Sequence, residues 1–154
     1  MGFPALAIAF LDQLTKWIVV KNIGLNETIP IINGFFSLVH VRNRGMAFGL
    51  LNSNEAGPAA YFLTAARLFI IIIIFLWGVR LKESSKLFSI SLSFILGGAV
   101  GNLIDRFRFE GVVDFLDFYI GSYHWPSFNL ADSAITVGVT CVAIFLLFGK
   151  KKIL

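Results

Sequence analysis

The chain has 154 residues, 57% of them hydrophobic and 14% charged, with a net charge of +4 at neutral pH and a mean hydropathy of +0.82. That leaves too little polar surface to coat a soluble globule, so the composition excludes a water-soluble domain and calls for a bilayer. A nucleic-acid partner is excluded as well, because it would need a basic patch on a folded surface, whereas the modest net charge here is a topology signal.

A hydrocarbon core about 30 Å thick takes roughly 20 mostly apolar residues to cross. The first such run is 2–20. It lacks the basic start and small-residue cleavage site of a secretory signal, and Asp12 and Lys16 interrupt it, so it reads as a retained helix. Those two residues stand at i and i+4 with the acid first, the favourable order for a helical pair, and their plainest reading is a structural ion pair. The following segment, 22–58, is too long for a structureless connection. Within it, Thr28–Ile32 and 35–42 are rich in β-branched and aromatic residues and flank Asn33-Gly34, the dipeptide of a type I′ hairpin turn. A small antiparallel sheet is expected there, with Phe35, Phe36, Tyr123 and Trp125 at the headgroup level.

The second span is 59–79, where Arg67 can snorkel to the interface. The third, 87–104, contains Gly97, Gly98 and Gly101, which let neighbouring helices approach closely. Asn102 and Arg106 follow one another by one turn on a common face. The stretch 105–125 reads as an acidic loop in which Asp105 and Asp117 are solvated charges. The fourth span, 126–148, opens on Asn129, Asp132 and Ser133 at i, i+3, i+4 spacing and contains the single cysteine, Cys141, as a small core hydrophobe.

Lysine and arginine set the orientation. Arg80, Lys82 and Lys86 between spans two and three, and Lys150, Lys151 and Lys152 after span four, mark the cytoplasmic side. Both termini are therefore cytoplasmic, and 22–58 and 105–125 face outward. The expected fold is a single integral membrane domain over 1–154, mainly α, with four transmembrane helices and a small extracytoplasmic β-sheet between helices one and two.

Asp132, read as about a turn and a half inside span four, is the residue that most needs an explanation, because a carboxylate in a membrane requires a partner or a function. With Asp114 it makes the pair of carboxylates that is the minimum for water-driven hydrolysis of an amide. Ser133 lacks the G-x-S-x-G setting and positioned base of a nucleophilic serine. His40 and His124, both in outer loops, lack a third ligand for a metal. The rival readings are a small ion or proton transporter using Asp12, Lys16 and Asp132, and a noncatalytic lipid-binding scaffold. Against transport, the polar residues stop at mid-membrane and the inner halves of the spans are apolar.

The strings D-Q-L-T-K (12–16), R-N-R-G-M-A-F-G (42–49), G-G-A-V-G-N-L-I-D-R (97–106), V-V-D-F-L-D-F (112–118) and W-P-S-F-N-L-A-D-S (125–133) resemble, in order, the motif set of bacterial lipoprotein signal peptidases, also called signal peptidase II. The likeness runs over nearly the whole chain. It implies a protease of the bacterial cytoplasmic membrane that cleaves diacylglyceryl-modified prolipoproteins just before the lipidated cysteine. The resemblance further implies an aspartate dyad near the outer leaflet, with no metal and no cofactor. By motif the dyad is Asp114 and Asp132, and the residues that bind substrate or support the dyad are Asp12, Lys16, Asn43, Gly45, Asn102, Arg106 and Asn129. Met46 stands where the family usually has alanine, so the cleft is expected to be narrowed or reshaped. A monomer is expected, with the β-rich loop as a lid or cradle over a cleft opening to the lipid. Neither acid is marked by sequence as the one protonated at rest.

Overall fold

The computed structural model describes residues 2–44, 68–76, 80, 86–109 and 111–148. Gly45, Met46 and Arg67 lie outside the described residues, and of the expected second span only 68–76 and its neighbour 80 are described; 68–76 is helical and is called α2. Among the described residues three helices are long and apolar enough to cross a membrane: α1 (Gly2–Asn22), α3 (Lys86–Phe109) and α4 (Leu130–Phe148).

Helices α1 and α3 run parallel, since Ala5 meets Gly97 and Lys16 meets Asp105. Helix α4 runs antiparallel to α3, with Ala131 against Gly98 near one end and Phe145 against Phe88 near the other. A Cβ on Gly97 would strike the backbone of Ala5, one on Gly98 the backbone of Ala131, and one on Gly101 the carboxylate of Asp12. The glycines thus fix how closely the helices pack, in a solvent where packing rather than water exclusion holds helices together. At one end of α3, Phe88, Leu92 and Ile95 form an apolar cluster with Ile74, Val142 and Phe145. The buried hydroxyls there are satisfied locally: Ser91 donates to Leu87 O at 2.9 Å and Ser93 to Ser89 O at 2.7 Å.

The sheet sits at the other end. Strand β1 (Thr28–Ile32) pairs antiparallel with β2 (Phe36–Asn43) across a turn in which Gly34 takes φ +78°, a left-handed conformation that suits glycine. The sheet is larger than a hairpin confined to 22–58. Strand β3 (Val112–Ile120) pairs antiparallel with β2, and β4 (Tyr123–His124) with β3, in the order β1-β2-β3-β4. The region read as an acidic loop is therefore largely strand. Apart from Asp114 and Asp117, every residue of β3 is apolar or aromatic, which suits a half-buried pleated surface, and β2 offers it a free edge. Val19, Ile23, Val113 and Phe115 form a second core, with Val20, Ile29, Leu38, Phe109 and Leu116 packed on it, and this pins the sheet to the ends of α1 and α3.

Two helix ends differ from expectation by about a turn or more. Helix α3 does not stop at 104 but continues to Phe109. Helix α4 begins at Leu130 rather than 126, because the residues before it pair with β3. Phe128 O accepts the N–H groups of Phe115 at 3.0 Å and Leu116 at 2.9 Å, and Phe128 N donates to Leu116 O at 3.1 Å. Phe35, Tyr123 and Trp125 are exposed on the sheet.

Candidate active site

Asp114 lies near the start of β3, opposite Val41 of β2, and is almost fully buried at 3% exposure. Its two oxygens have different partners. Asn43, at the end of β2, donates to Oδ2 at 3.0 Å, and Asn129 donates to Oδ1 at 2.8 Å. Burial pushes the Asp114 carboxyl up from the ordinary 3.8 to about 6; the Asn43 hydrogen bond opposes this, and repulsion from Asp132 adds to it.

Asp132 is in the first turn of α4, not a turn and a half inside it, and is half-buried. The reason is a reciprocal cap. Asn129 Oδ1 accepts the Asp132 N–H at 2.9 Å, and Asp132 Oδ2 accepts the Asn129 N–H at 3.3 Å, so the helix starts between them. A carboxylate at this position is also favoured by the positive end of the helix dipole.

Asn102 and Asn129 connect the acids. Asn102 Nδ2 donates to Asp132 Oδ1 at 2.8 Å, while Asn129 Nδ2 donates to Asn102 Oδ1 at 3.2 Å, to Val113 O at 3.2 Å and to Asp114 Oδ1. Lys16 Nζ reaches Asn102 Oδ1 at 2.9 Å. An ammonium can only donate, so it fixes which end of the Asn102 amide faces Asp132. Two acids 18 positions apart in the sequence are thus joined through two amides at the sheet end of the helices.

Beneath this lies a buried ionic cluster. Lys16 Nζ is 2.8 Å from Asp12 Oδ2 and 2.8 Å from Asp105 Oδ2. Asp105, expected to be a solvated loop charge, has zero exposure. Because α3 continues past 104, Asp105 stays on the face of Gly101 and Asn102 and turns toward α1. There it accepts hydrogen bonds from Gln13 Nε2 at 2.7 Å and Val113 N at 3.0 Å. Its spacing of i+3 from Asn102 and i+4 from Gly101 was the available signal for it, and Gln13 gave none.

Asp117 is not solvated either: it is 5% exposed, and its Oδ2 lies 2.9 Å from Nδ1 of the exposed His124, which stacks on Tyr119. Both histidines are on strands rather than in loops, and His40 Nδ1 lies 2.8 Å from Ile23 O. Among the described residues no group of three or more His, Cys, Asp or Glu side chains is placed to hold a metal ion. Of the residues named from sequence, Asp12, Lys16, Asn43, Asn102, Asp114, Asn129 and Asp132 fall in one connected network. Arg106 is half-buried in the last turn of α3.

Comparison with known proteins agrees in extent and description. The family described as signal peptidase (SPase) II matches residues 4–148. The lipoprotein signal peptidase of Desulforapulum autotrophicum is 47% identical over 144 residues, 93% of this chain and 88% of that protein. That of Syntrophus aciditrophicus is 40% identical over 94% of this chain and 90% of its own length. A solved structure described as a bacterial membrane enzyme, determined by the in meso method at 1.9 Å, is 31% identical and covers 96% of this chain and 92% of its own, with a TM-score of 0.76.

Proposed function

The chain belongs to the signal peptidase II family, and from that premise we propose that it removes the signal peptide from diacylglyceryl-modified prolipoproteins, cutting just before the lipidated cysteine with Asp114 and Asp132 as the water-activating pair. The observation that carries this reading is the Asp114–Asn129–Asn102–Asp132 chain, in which one acid is closed off and the other half-open.

Two carboxyl groups that feel each other's charge share a proton more readily than both ionise. Asp114, whose burial favours its neutral form, is the one assigned the shared proton during the reaction. Asp132, at the open side, takes a proton from water as the water attacks the scissile carbonyl. Asp114 polarises that carbonyl and then delivers its proton to the leaving amine. Asn102 and Asn129 hold the acids in register; Asn43, exposed at the strand end, is assigned the substrate backbone, with Gly45 and Arg106 as further contacts.

The substrate's two acyl chains keep it at the lipid interface, so the enzyme has to bring water there. The polar network lies at the sheet end of apolar helices, which suits this task. The opposite half of α3 and α4 is an apolar cluster, and among the described residues it offers no continuing proton path, so a transport role lacks support. The site is read as facing the outer leaflet of the bacterial cytoplasmic membrane, with the enzyme acting as a monomer. The direct test is incubation of the purified protein with a diacylglyceryl-modified precursor, followed by mass spectrometry. A shorter product beginning at the modified cysteine is expected; an unchanged precursor with folded protein overturns the proposal.

A further inference from the structure

We infer that Asp105, Lys16 and Asp12 form a two-armed clamp that sets the separation of Asp114 and Asp132, with Asp105 a positioning residue for the reaction. The inference rests on the dyad reading above.

Each arm ends on the backbone position just before one acid of the dyad. Asp105 Oδ2 accepts the N–H of Val113 at 3.0 Å, the residue immediately before Asp114. Asp12 Oδ1 accepts the N–H of Ala131 at 2.9 Å, the residue immediately before Asp132. Lys16 joins the arms, at 2.8 Å from each carboxylate, and places its third hydrogen bond on Asn102 at 2.9 Å. Its three donors are thereby matched to three acceptors.

Tying α1 to α3 would need only one of these carboxylates. The second carboxylate and the two backbone contacts are not needed for that pairing; Asp12 also ties α1 to α4, and the backbone contacts hold the start of the strand and the start of the helix that carry the dyad. All three side chains are essentially closed off, at 2% exposure for Lys16 and none for either acid, so the bonds act where competing water is excluded. Gly101 leaves the room for Asp12, and Gln13, itself held by Arg108 at 3.1 Å, fixes the other oxygen of Asp105. Positional errors of about 1 Å in such a site can cost roughly 100-fold in rate.

The test compares Asp105→Asn and Lys16→Arg with the parent enzyme on a lipidated peptide. Asp105→Asn removes one arm's charge. Lys16→Arg keeps the charge but cannot bring a single nitrogen to three converging acceptors. Each is expected to lower kcat on the order of 10- to 100-fold with KM within about twofold, in protein of parental helicity and elution volume. In Asp105→Asn the pH–rate midpoint should also move to lower pH, because Lys16 is then less neutralised next to Asp114 and the Asp132 charge is held less closely; the other charged groups facing Lys16 are Asp12 on its own helix and Asp105 on α3. Either variant, folded, with kcat within twofold of the parent overturns the clamp. So does an Asp105→Asn activity loss matched by lost folded protein with an unmoved pH midpoint, or failure of both variants to fold, since positioning would then be inseparable from the fold. An active Asp114→Asn enzyme would instead overturn the dyad, so the two failures are distinguishable.

Discussion

The same two helices behave as different materials at their two ends. Where α3 and α4 meet the sheet, the contacts are directional: Asn102, Asp105, Asn129 and Asp132 each have specific partners at hydrogen-bond distance. Where Phe88 meets Phe145, the contacts are apolar packing, and the two serines there turn back on their own helix. The difference separates two demands on one bundle. The apolar end supplies cohesion in lipid, and the polar end spends that cohesion holding acids in positions they would not choose alone.

If that division is correct, substitutions at the two ends should fail in different ways. The largest effect is expected from Asp114→Asn and Asp132→Asn, each lowering turnover by roughly 1,000-fold or more, with melting temperature at pH 4 near the parent's, measured on purified protein with a lipidated peptide. A variant with near-parental turnover would remove the polar end's functional meaning. Next is the pH dependence of the closed acid. The Asp114 carboxyl titrates at about 6 in the folded protein against 3.8 ordinarily, so folding takes up a proton between those values. Its contribution to stability is therefore fully present below pH 3.8 and is lost as pH rises through about 6, amounting to about 3 kcal/mol. Thermal melts from pH 4 to 8 should show this decline in the parent and not in Asp114→Asn. For the same reason, kcat/KM, which reports the free enzyme, should fall as pH rises through about 6.

Asn129→Ala tests the junction of the two demands, since the same side chain caps α4 and bridges the acids. It should lower kcat on the order of 100-fold and also cost about 1 kcal/mol of stability. At the apolar end, Leu92→Ala should cost about 1–3 kcal/mol, because in lipid only the packing part of the cavity cost applies, while activity per folded molecule stays within about twofold. A large loss of specific activity from Leu92→Ala would show that the two ends are not separable. The smallest expected effect is that of EDTA, which should leave the cleavage rate unchanged.

Much of this was legible before any coordinates. Apolar run length gave the helices that were found, and Asn33-Gly34 gave the hairpin turn, because both signals are local. Asp12 and Asp132 were legible from helical spacing and the cost of charge in a membrane, and motif resemblance joined Asp114 to Asp132 as a dyad. Strand β3 was missed although its β-branched and aromatic residues announce it: Asp114 and Asp117 interrupt the alternation, and in isolation they look like loop acids. Asp105 was missed for a related reason. Hydropathy ends a span where charge begins, yet α3 continues through Asp105 and Arg106 to Phe109, where the Arg108 guanidinium lies over the Phe109 ring at 4.9 Å. A long-range partner made a buried residue out of what composition assigns to water, and no window of sequence contains both partners.

The contact between Asp12 and the N–H of Ala131 spans 119 positions. During synthesis the first helix leaves the ribosome long before the last, so a chain arrested ahead of Leu130 carries Asp114 without its counterpart and is expected to be inert. Translation-arrested intermediates assayed on a lipidated peptide would check this. A newly made copy would then gain the second acid of the proposed pair only when the segment carrying Asp132 is inserted.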